Sequence, residues 1–418
     1  MVGQSQVVHI VGLRAAMGGL ALVVVASMAG CPAAPASREG PKAPSPTRAD
    51  RDAGESATRA ARTAIKIGVV DERSCALLID GTVSCWGLLT PWSSETEARD
   101  EAQPVPVGPM AAGEPTLDDV ADLAIGYDHS CLVRRSGGVR CWGSNEFGEL
   151  GDGTHVDALA PTADPQLSNV AQVAVGSDFS CARFVSGGVS CWGRNYRGEL
   201  ATGGDADSAV PVRVPELDGV VSLALSGDRG LALRDEGRLS SWGWTGSAST
   251  PLTPMPPMLP EGASADAPAL RAVEIVASPT HSCARLADGS VRCWGRNEHG
   301  QLGDGSEVYR ETPTLVRGIS HVVQIAVGRG TSCARLADGS VRCWGSNASG
   351  QLGDGTLVDR ATPTLVSGLS HCKQIAIAFS HACALMEDGS VQCWGSNASG
   401  ELGDRTHKAR AVRGPVLW

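Results

Sequence analysis

From about residue 64 onward, short apolar runs alternate with glycine turns, and the alternation has a fixed layout. In residues 324–345, QIAVGRGTSCARLADGSVRCWG, the β-branched run 324–327 predicts one strand, 332–336 a second and 340–344 a third. Ala337-Asp338-Gly339 separates the last two and reads as a three-residue hairpin loop, whose left-handed third position suits glycine. Glycine recurs at that offset as Gly81, Gly137, Gly187, Gly237, Gly289, Gly339 and Gly389. A glycine-rich loop, GSNASGQLGDGT, then leads to a fourth strand at 362–366.

The pattern repeats with the tryptophans Trp86, Trp142, Trp192, Trp242, Trp294, Trp344 and Trp394, at steps of 56, 50, 50, 52, 50 and 50 residues. Four short strands repeated seven times predict an all-β, seven-bladed β-propeller. A single blade has two apolar faces and no core, and radial stacking buries both. Tryptophan and cysteine are adjacent and so point to opposite faces, which places the tryptophans between neighbouring blades. The first repeat has no Pro-Thr-Leu-Val strand before it, and Pro415-Val416-Leu417-Trp418 has no hairpin after it. The C-terminal strand is therefore expected to pair into the first blade and close the ring.

Twelve of the fourteen cysteines recur ten residues apart, as Cys75/Cys85, Cys131/Cys141, Cys181/Cys191, Cys283/Cys293, Cys333/Cys343 and Cys383/Cys393. Counting outward from the hairpin sets each pair opposite at a close cross-strand site, about 4.5 Å between Cα atoms, within reach of a disulfide. Such a bridge staples its own hairpin and is not expected to tie blades together. In the fourth repeat both positions change together, to Leu231 and Ser241. Joint loss is what a bonded pair predicts. Two thiolates per blade lack the other ligands of a closed zinc site, so six disulfides and an oxidising compartment are expected. Cys372 replaces Val170, Val220 and Val322 of other repeats and reads as a buried small hydrophobe.

The N-terminus carries an address. Arg14 precedes an apolar run at 15–26, followed by Ser27-Met28-Ala29-Gly30-Cys31, a signal-peptide pattern with small residues before a cysteine that resembles a bacterial lipobox. The expected organisation is a lipoprotein signal peptide at 1–30, a lipid-anchored tether at 31–63 with lipid on Cys31, and the propeller at 64–418. The tether is rich in Pro, Ala, Ser, Arg and Asp and would span roughly 30 Å if flexible. Localisation follows as the cell envelope outside the cytoplasm, at the outer membrane or cell surface, held by the lipid alone. A formal charge of −10 argues against a nucleic-acid surface.

The segments Asp128-His129-Ser130, Thr280-His281-Ser282, Asp288-Gly289 and Trp294-Gly295-Arg296-Asn297, with 300–305 (GQLGDG), resemble the regulator of chromosome condensation repeat family. The resemblance covers about 64–418 and implies a seven-bladed propeller. The paired cysteines are similar to those of exported bacterial versions. That setting separates the chain from the nuclear nucleotide-exchange activity for which the family is best known. Members resembling it act as binding scaffolds, one of them as a secreted inhibitor.

No catalytic residue, cofactor or metal site stands out. A calcium loop needs six or more oxygens, whereas each Gly-Asp-Gly-Thr turn offers one carboxylate, which is expected to bond its own turn. The residue two before the first cysteine scatters among His129, His281, His381, Arg73, Phe179, Arg229 and Thr331, unlike a catalytic ring, and is expected to pack or hydrogen-bond locally. A lyase or glycosidase would require two converging carboxylates that the repeat does not supply. Variable loop residues instead suggest binding, since aromatic and arginine side chains on rigidly held loops make interface anchors. The candidate face comprises Tyr127, His129, Phe147, Phe179, Tyr196, Arg197, Arg229, His281, His299, Arg329 and His381. Two irregular loops, 88–117 and 245–270, are binding insertions or disordered segments. The expected protein is a monomeric, non-enzymatic scaffold for a protein or surface ligand, with an inhibitor of an exported enzyme as the alternative.

Overall fold

Each unit grows from its central hairpin. In the sixth, Leu336 N–H donates to Ser340 O (2.9 Å) and Gly339 N–H to Leu336 O (3.0 Å), with Gly339 at φ 79°. Asp338 Oδ1 accepts from the backbone N–H and hydroxyl of Ser340, so the turn is held by its own residues. This register sets Cys333 opposite Cys343 and Ser332 opposite Trp344.

In the computed structural model, which describes residues 63–89, 99–107, 119–244, 249–254 and 271–418, these units form seven four-stranded antiparallel sheets. The strands of each sheet follow chain order from the innermost, on the central shaft, to the outermost. Blades 1 to 7 begin at Ala64, Val120, Val170, Val220, Ala272, Val322 and Cys372. The signal-peptide and tether segments of the sequence reading lie outside the described residues.

Closure differs from the expectation. The last strand, Arg410–Pro415, pairs with Val391–Gly395 of its own blade, with Gly414 opposite Cys393. Blade 1 has its own fourth strand, Arg99–Val107, with Val105 opposite Cys85. That strand lies inside the segment 88–117, and Ser249–Pro254 likewise makes the fourth strand of blade 4 inside 245–270. Both segments are thus partly strand; 90–98, 108–118, 245–248 and 255–270 lie outside the described residues. The physical reason is that an outer strand pairs through backbone groups and tolerates proline at its free edge, so it does not need the Pro-Thr-Leu-Val signature.

The ring closes side to side. Gln374 accepts from Ile67 N–H and donates to Ile67 O, both at 2.9 Å, just as Gln172 clamps Leu223 and Gln324 clamps Ile375. Trp418 adds an edge-on contact with Trp86, 6.0 Å between ring centroids. The junction of blades 7 and 1 therefore uses the chemistry of the other junctions.

The tryptophans occupy the seams, as the alternation predicts. Trp86, Trp192, Trp242, Trp344 and Trp394 are fully buried, and each packs with the paired cysteines of the preceding blade. Trp294 packs with Leu231 at the cysteine-free position of blade 4.

The cysteine pairs Cys75–Cys85, Cys131–Cys141, Cys181–Cys191, Cys283–Cys293, Cys333–Cys343 and Cys383–Cys393 stand at S–S 2.05–2.11 Å. The Cα atoms are 4.0–4.1 Å apart, a little under the roughly 4.5 Å of a close cross-strand site. Each pair lies within its own hairpin, and the cysteines also pack into the seams. Cys141 and Cys191 are fully buried: Cys141 lies in the cluster that holds Trp192 of blade 3, and Cys191 in the cluster that holds Trp242 of blade 4. Their face of the third strand turns toward the following blade, so each pair floors the next indole. Cys372 is buried and unpaired, and burial pushes its thiol up to about 11.

Candidate binding face

The first-to-second strand turns of every blade and the third-to-fourth strand loops of blades 2, 3, 5, 6 and 7 emerge on one face. The glycine-rich loop there is built around a buried asparagine. Asn347 Nδ2 donates to Thr356 O and Val358 O while its Oδ1 accepts from Leu352 N–H. Asp354 Oδ1 accepts from the backbone and hydroxyl of Thr356, so the carboxylate serves its own turn. Asn397 is held the same way, which leaves neither asparagine side chain accessible for glycosylation. Gly353 must be glycine: a Cβ there would lie 2.7 Å from Trp394 Nε1, and its φ is +66°.

These loops also make the seams. Ser180 donates to Glu149 O (3.0 Å) and Trp192 Nε1 donates to the same oxygen (2.7 Å). With the serine proton so placed, Ser180 Oγ accepts from His129 Nε2–H at 2.8 Å, which sets the imidazole tautomer. The clasp recurs with His281, Ser332, Trp344 and Gln301 O, and at ring closure with His381, Ser74, Trp86 and Glu401 O. Burial holds His129 and His381 down to about 4 and His281 to about 3.

This corrects part of the candidate face. His129, His281 and His381 are fully buried and Phe179 nearly so, because each opens a second strand whose side chain turns into the seam. Cys141 and Cys191, singled out from sequence for their bridges, are likewise sealed in the seams and contribute nothing to the face. Arg229 is half-buried and donates to Ser282 Oγ of the next blade (2.7 Å). The signal was present between repeats. Histidine occurs where the next repeat offers serine and its own carries the long loop; where the next repeat has Gly230 or Ala382 instead, the position holds Phe179 or Thr331; arginine, at Arg73 and Arg229, marks the two blades lacking that loop.

Other candidates converge. Arg194 lies over the rings of Phe147 (5.6 Å) and Tyr196 (4.7 Å), and Arg197 over Tyr196 (4.9 Å) and Trp244 (4.6 Å). Asp228 pairs with both guanidinium groups, at 2.5 and 2.6 Å, and Asp178 with Arg194. The outcome is a ladder of alternating rings and cations across blades 2 to 4, with Tyr196 half exposed at its centre. Arg194 and Trp244 were not singled out from sequence, although Trp244 is one of three tryptophans off the repeat position.

Beside the ladder, the mouth of the shaft is a cavity of about 550 Å³ whose wall includes Asp71, Tyr127, Asp128, Arg329 and Phe379. Below it the shaft is apolar, lined by residues such as Val69, Ile275, Ile325 and Ile375. Carboxylates crowd blades 1 to 4. Burial, followed by repulsion from neighbouring acids, raises Asp128, and burial raises Asp71 and Asp178 against the pull of nearby arginines. Burial also lifts Glu149 to about 7. Tyr127 and Arg329 are exposed, with Arg329 5.6 Å from the Phe379 ring, and His299 pairs with Asp359 at 2.8 Å farther round the rim. Among the described residues no group of three His, Cys, Asp or Glu could hold a metal ion.

The repeats match the family models described as "Regulator of chromosome condensation (RCC1) repeat", over residues 136–183, 288–335 and 338–385 for one and 120–149, 170–199, 272–301, 322–351 and 372–401 for the other. A 51-residue segment is 45% identical to human Protein RCC2, spanning 12% of this chain and only 10% of that protein. Human WBSCR16 shares the fold at TM-score 0.64 and 21% identity, over 77% of this chain and 86% of that one. Prp20p from Saccharomyces cerevisiae, described together with its binding to Gsp1p and histones, superposes at TM-score 0.63 and 20% identity over 85% and 88%. Yeast RCC1 (Prp20) bound to Kap60 gives TM-score 0.65 and 19% identity over 92% and 91%. With its repeat models covering half of the chain and its seven blades in place, this protein belongs to the regulator of chromosome condensation (RCC1) repeat family.

Proposed function

We propose that this propeller is an envelope-anchored, non-enzymatic binding scaffold whose mouth face grips a protein partner. The observation that carries the reading is the ladder Phe147–Arg194–Tyr196–Arg197–Trp244. Arginine and large aromatics dominate interface energetics because they desolvate much area with few rotatable bonds. Here Asp178 and Asp228 hold the arginines in place beforehand, so little side-chain freedom is left to lose on association. Each ring–cation contact contributes about 0.5–1 kcal/mol when exposed and about 2 when a partner covers it. Anchoring through Cys31 rests on the export pattern at 15–31.

Affinity capture from native envelopes tests the reading. Tyr196→Ala combined with Arg197→Ala should abolish recovery of the principal partner, whereas Glu387→Gln on the opposite face should leave it intact. Equal recovery by all three proteins would refute the assignment. Cys31→Ala should move the protein from the membrane to the soluble fraction, and continued membrane association would refute the anchor.

A further inference from the structure

A second cavity, of about 660 Å³, opens between blades 7, 1 and 2 and shares Asp71, Tyr127, Asp128 and Phe379 with the mouth. That volume suits an organic side chain or small ligand rather than a bare ion. Tyr127 and Phe379 stand 59% and 48% exposed, unusual for large rings on a surface whose other aromatics are mostly buried in seams. The acids between them are Asp71, Glu72 and Asp128. Ser399 Oγ donates to Glu72 Oε2 at 3.0 Å. Asp71 and Asp128 make no ion pair among the described residues. The cation in the wall, Arg73, is buried and donates to the carbonyls of Gly126 (3.3 Å) and Tyr127 (2.7 Å). Arg329, in the wall of the adjoining mouth, lies over Phe379 and draws on Asp71, as Arg73 draws on Asp128, so three carboxylates stand against two guanidinium groups and leave one net negative charge.

The exposed ring of Tyr127 beside partly desolvated carboxylates that outnumber the nearby arginines makes a receptor for a long cationic side chain. The Tyr127 ring covers the aliphatic stem and attracts the charge through its face, while Asp71 and Asp128 pair with the head group. We propose that this cavity receives a lysine or arginine side chain of the protein partner, presented on a basic loop that continues across the mouth onto the ladder. The occupant is a protein side chain because the cavity is continuous with the mouth beside the ladder, so one partner surface can fill both. The inference rests on the scaffold reading above and adds the chemistry of the partner. Binding also relieves the repulsion that burial and neighbouring acids impose on Asp128.

The test titrates the full-length protein with acetyl-Gly-Ser-Lys-Ser-Gly-amide, with its norleucine counterpart and with cadaverine, at low ionic strength, followed by calorimetry. The lysine peptide should bind about tenfold or more tightly than the norleucine peptide, the loss expected when one partner of a desolvated ion pair is removed. Asp71→Asn with Asp128→Asn should lower lysine-peptide affinity by about the same factor while keeping the melting temperature. Tyr127→Ala should weaken it several-fold, and Glu387→Gln should change nothing. Equal binding of the lysine and norleucine peptides, or an unaffected double variant, overturns the proposal. Cadaverine binding as tightly as the peptide overturns the assignment to a protein side chain. A double variant that still captures the envelope partner, when the ladder variant does not, overturns the cavity while leaving the scaffold intact.

Discussion

The paired cysteines allow a quantitative prediction, because blade 4 shows what the same position looks like without them. Replacing Cys283 by Leu and Cys293 by Ser copies the Leu231–Ser241 pair of blade 4 into blade 5. Leucine would still floor the following indole, Trp344, as Leu231 floors Trp294. Packing is thereby roughly conserved and the covalent link alone is lost. For a sequence separation of 10, the chain-entropy estimate gives about 2.7 kcal/mol. Unfolding entropy near 2.1 cal/mol/K per residue over roughly 355 residues makes that a fall in melting temperature of about 4 °C. Differential scanning calorimetry should show this difference under oxidising conditions and none after reduction of both proteins. An unchanged melting temperature under oxidising conditions would mean the link contributes no stability. A difference that survives reduction would assign the effect to packing.

Three further outcomes follow from the seams. Trp192→Phe removes a bond to Glu149 O and leaves that buried carbonyl with one donor fewer, which should cost about 1–3 kcal/mol; an unchanged thermal melt would contradict the clasp. His129, His281 and His381 have folded values near 4, 3 and 4, below the unfolded value of 6.5, so their contribution is present above pH 6.5 and lost as pH falls toward 4. Three protons taken up on unfolding give a slope approaching about 4 kcal/mol per pH unit. The raised carboxylates, Glu149 foremost, oppose it, because their effect is lost as pH rises through about 7. His129→Gln should flatten the acid limb of a melting-temperature profile; an unaltered limb would contradict it. Deleting 411–418 strips most of the outer strand of blade 7 together with Val416 and Trp418, and should lower the melting temperature by several degrees; no change would contradict their place in the seam with Trp86.

The period of the tryptophans and the left-handed glycine of each hairpin made the blades legible, because both are local requirements repeated seven times. Closure was misjudged because the signature sought for the outer strand, Pro-Thr-Leu-Val, belongs to its side chains, whereas Arg99–Val107 pairs through its backbone. The pairing of Cys141 with Cys131 and of Cys191 with Cys181 was legible from spacing, but their place under the next blade's tryptophan was not, since a hairpin alone does not say what packs on it. Local packing of His129, His281 and His381 is legible from their scatter, but their burial in the seam is not, because loop position alone does not say which way the first residue of a strand points. Comparison of each repeat with the next matches His129 with Ser180, the pair that meets in the seam. Phe147, Tyr196 and Arg197 were legible as variable residues on a constant scaffold. Their meeting with Arg194 and Trp244 was not, since it depends on the angle between successive blades.

The account rests on the ladder side of the mouth being the surface that meets a partner. A photo-crosslinking amino acid at Glu146, exposed on the loop beside Phe147, and separately at Glu387 on the opposite face, measures this in intact cells. A single discrete adduct from position 146 and none from 387 is the predicted result. Adducts from 387 alone, or from neither position, would contradict it.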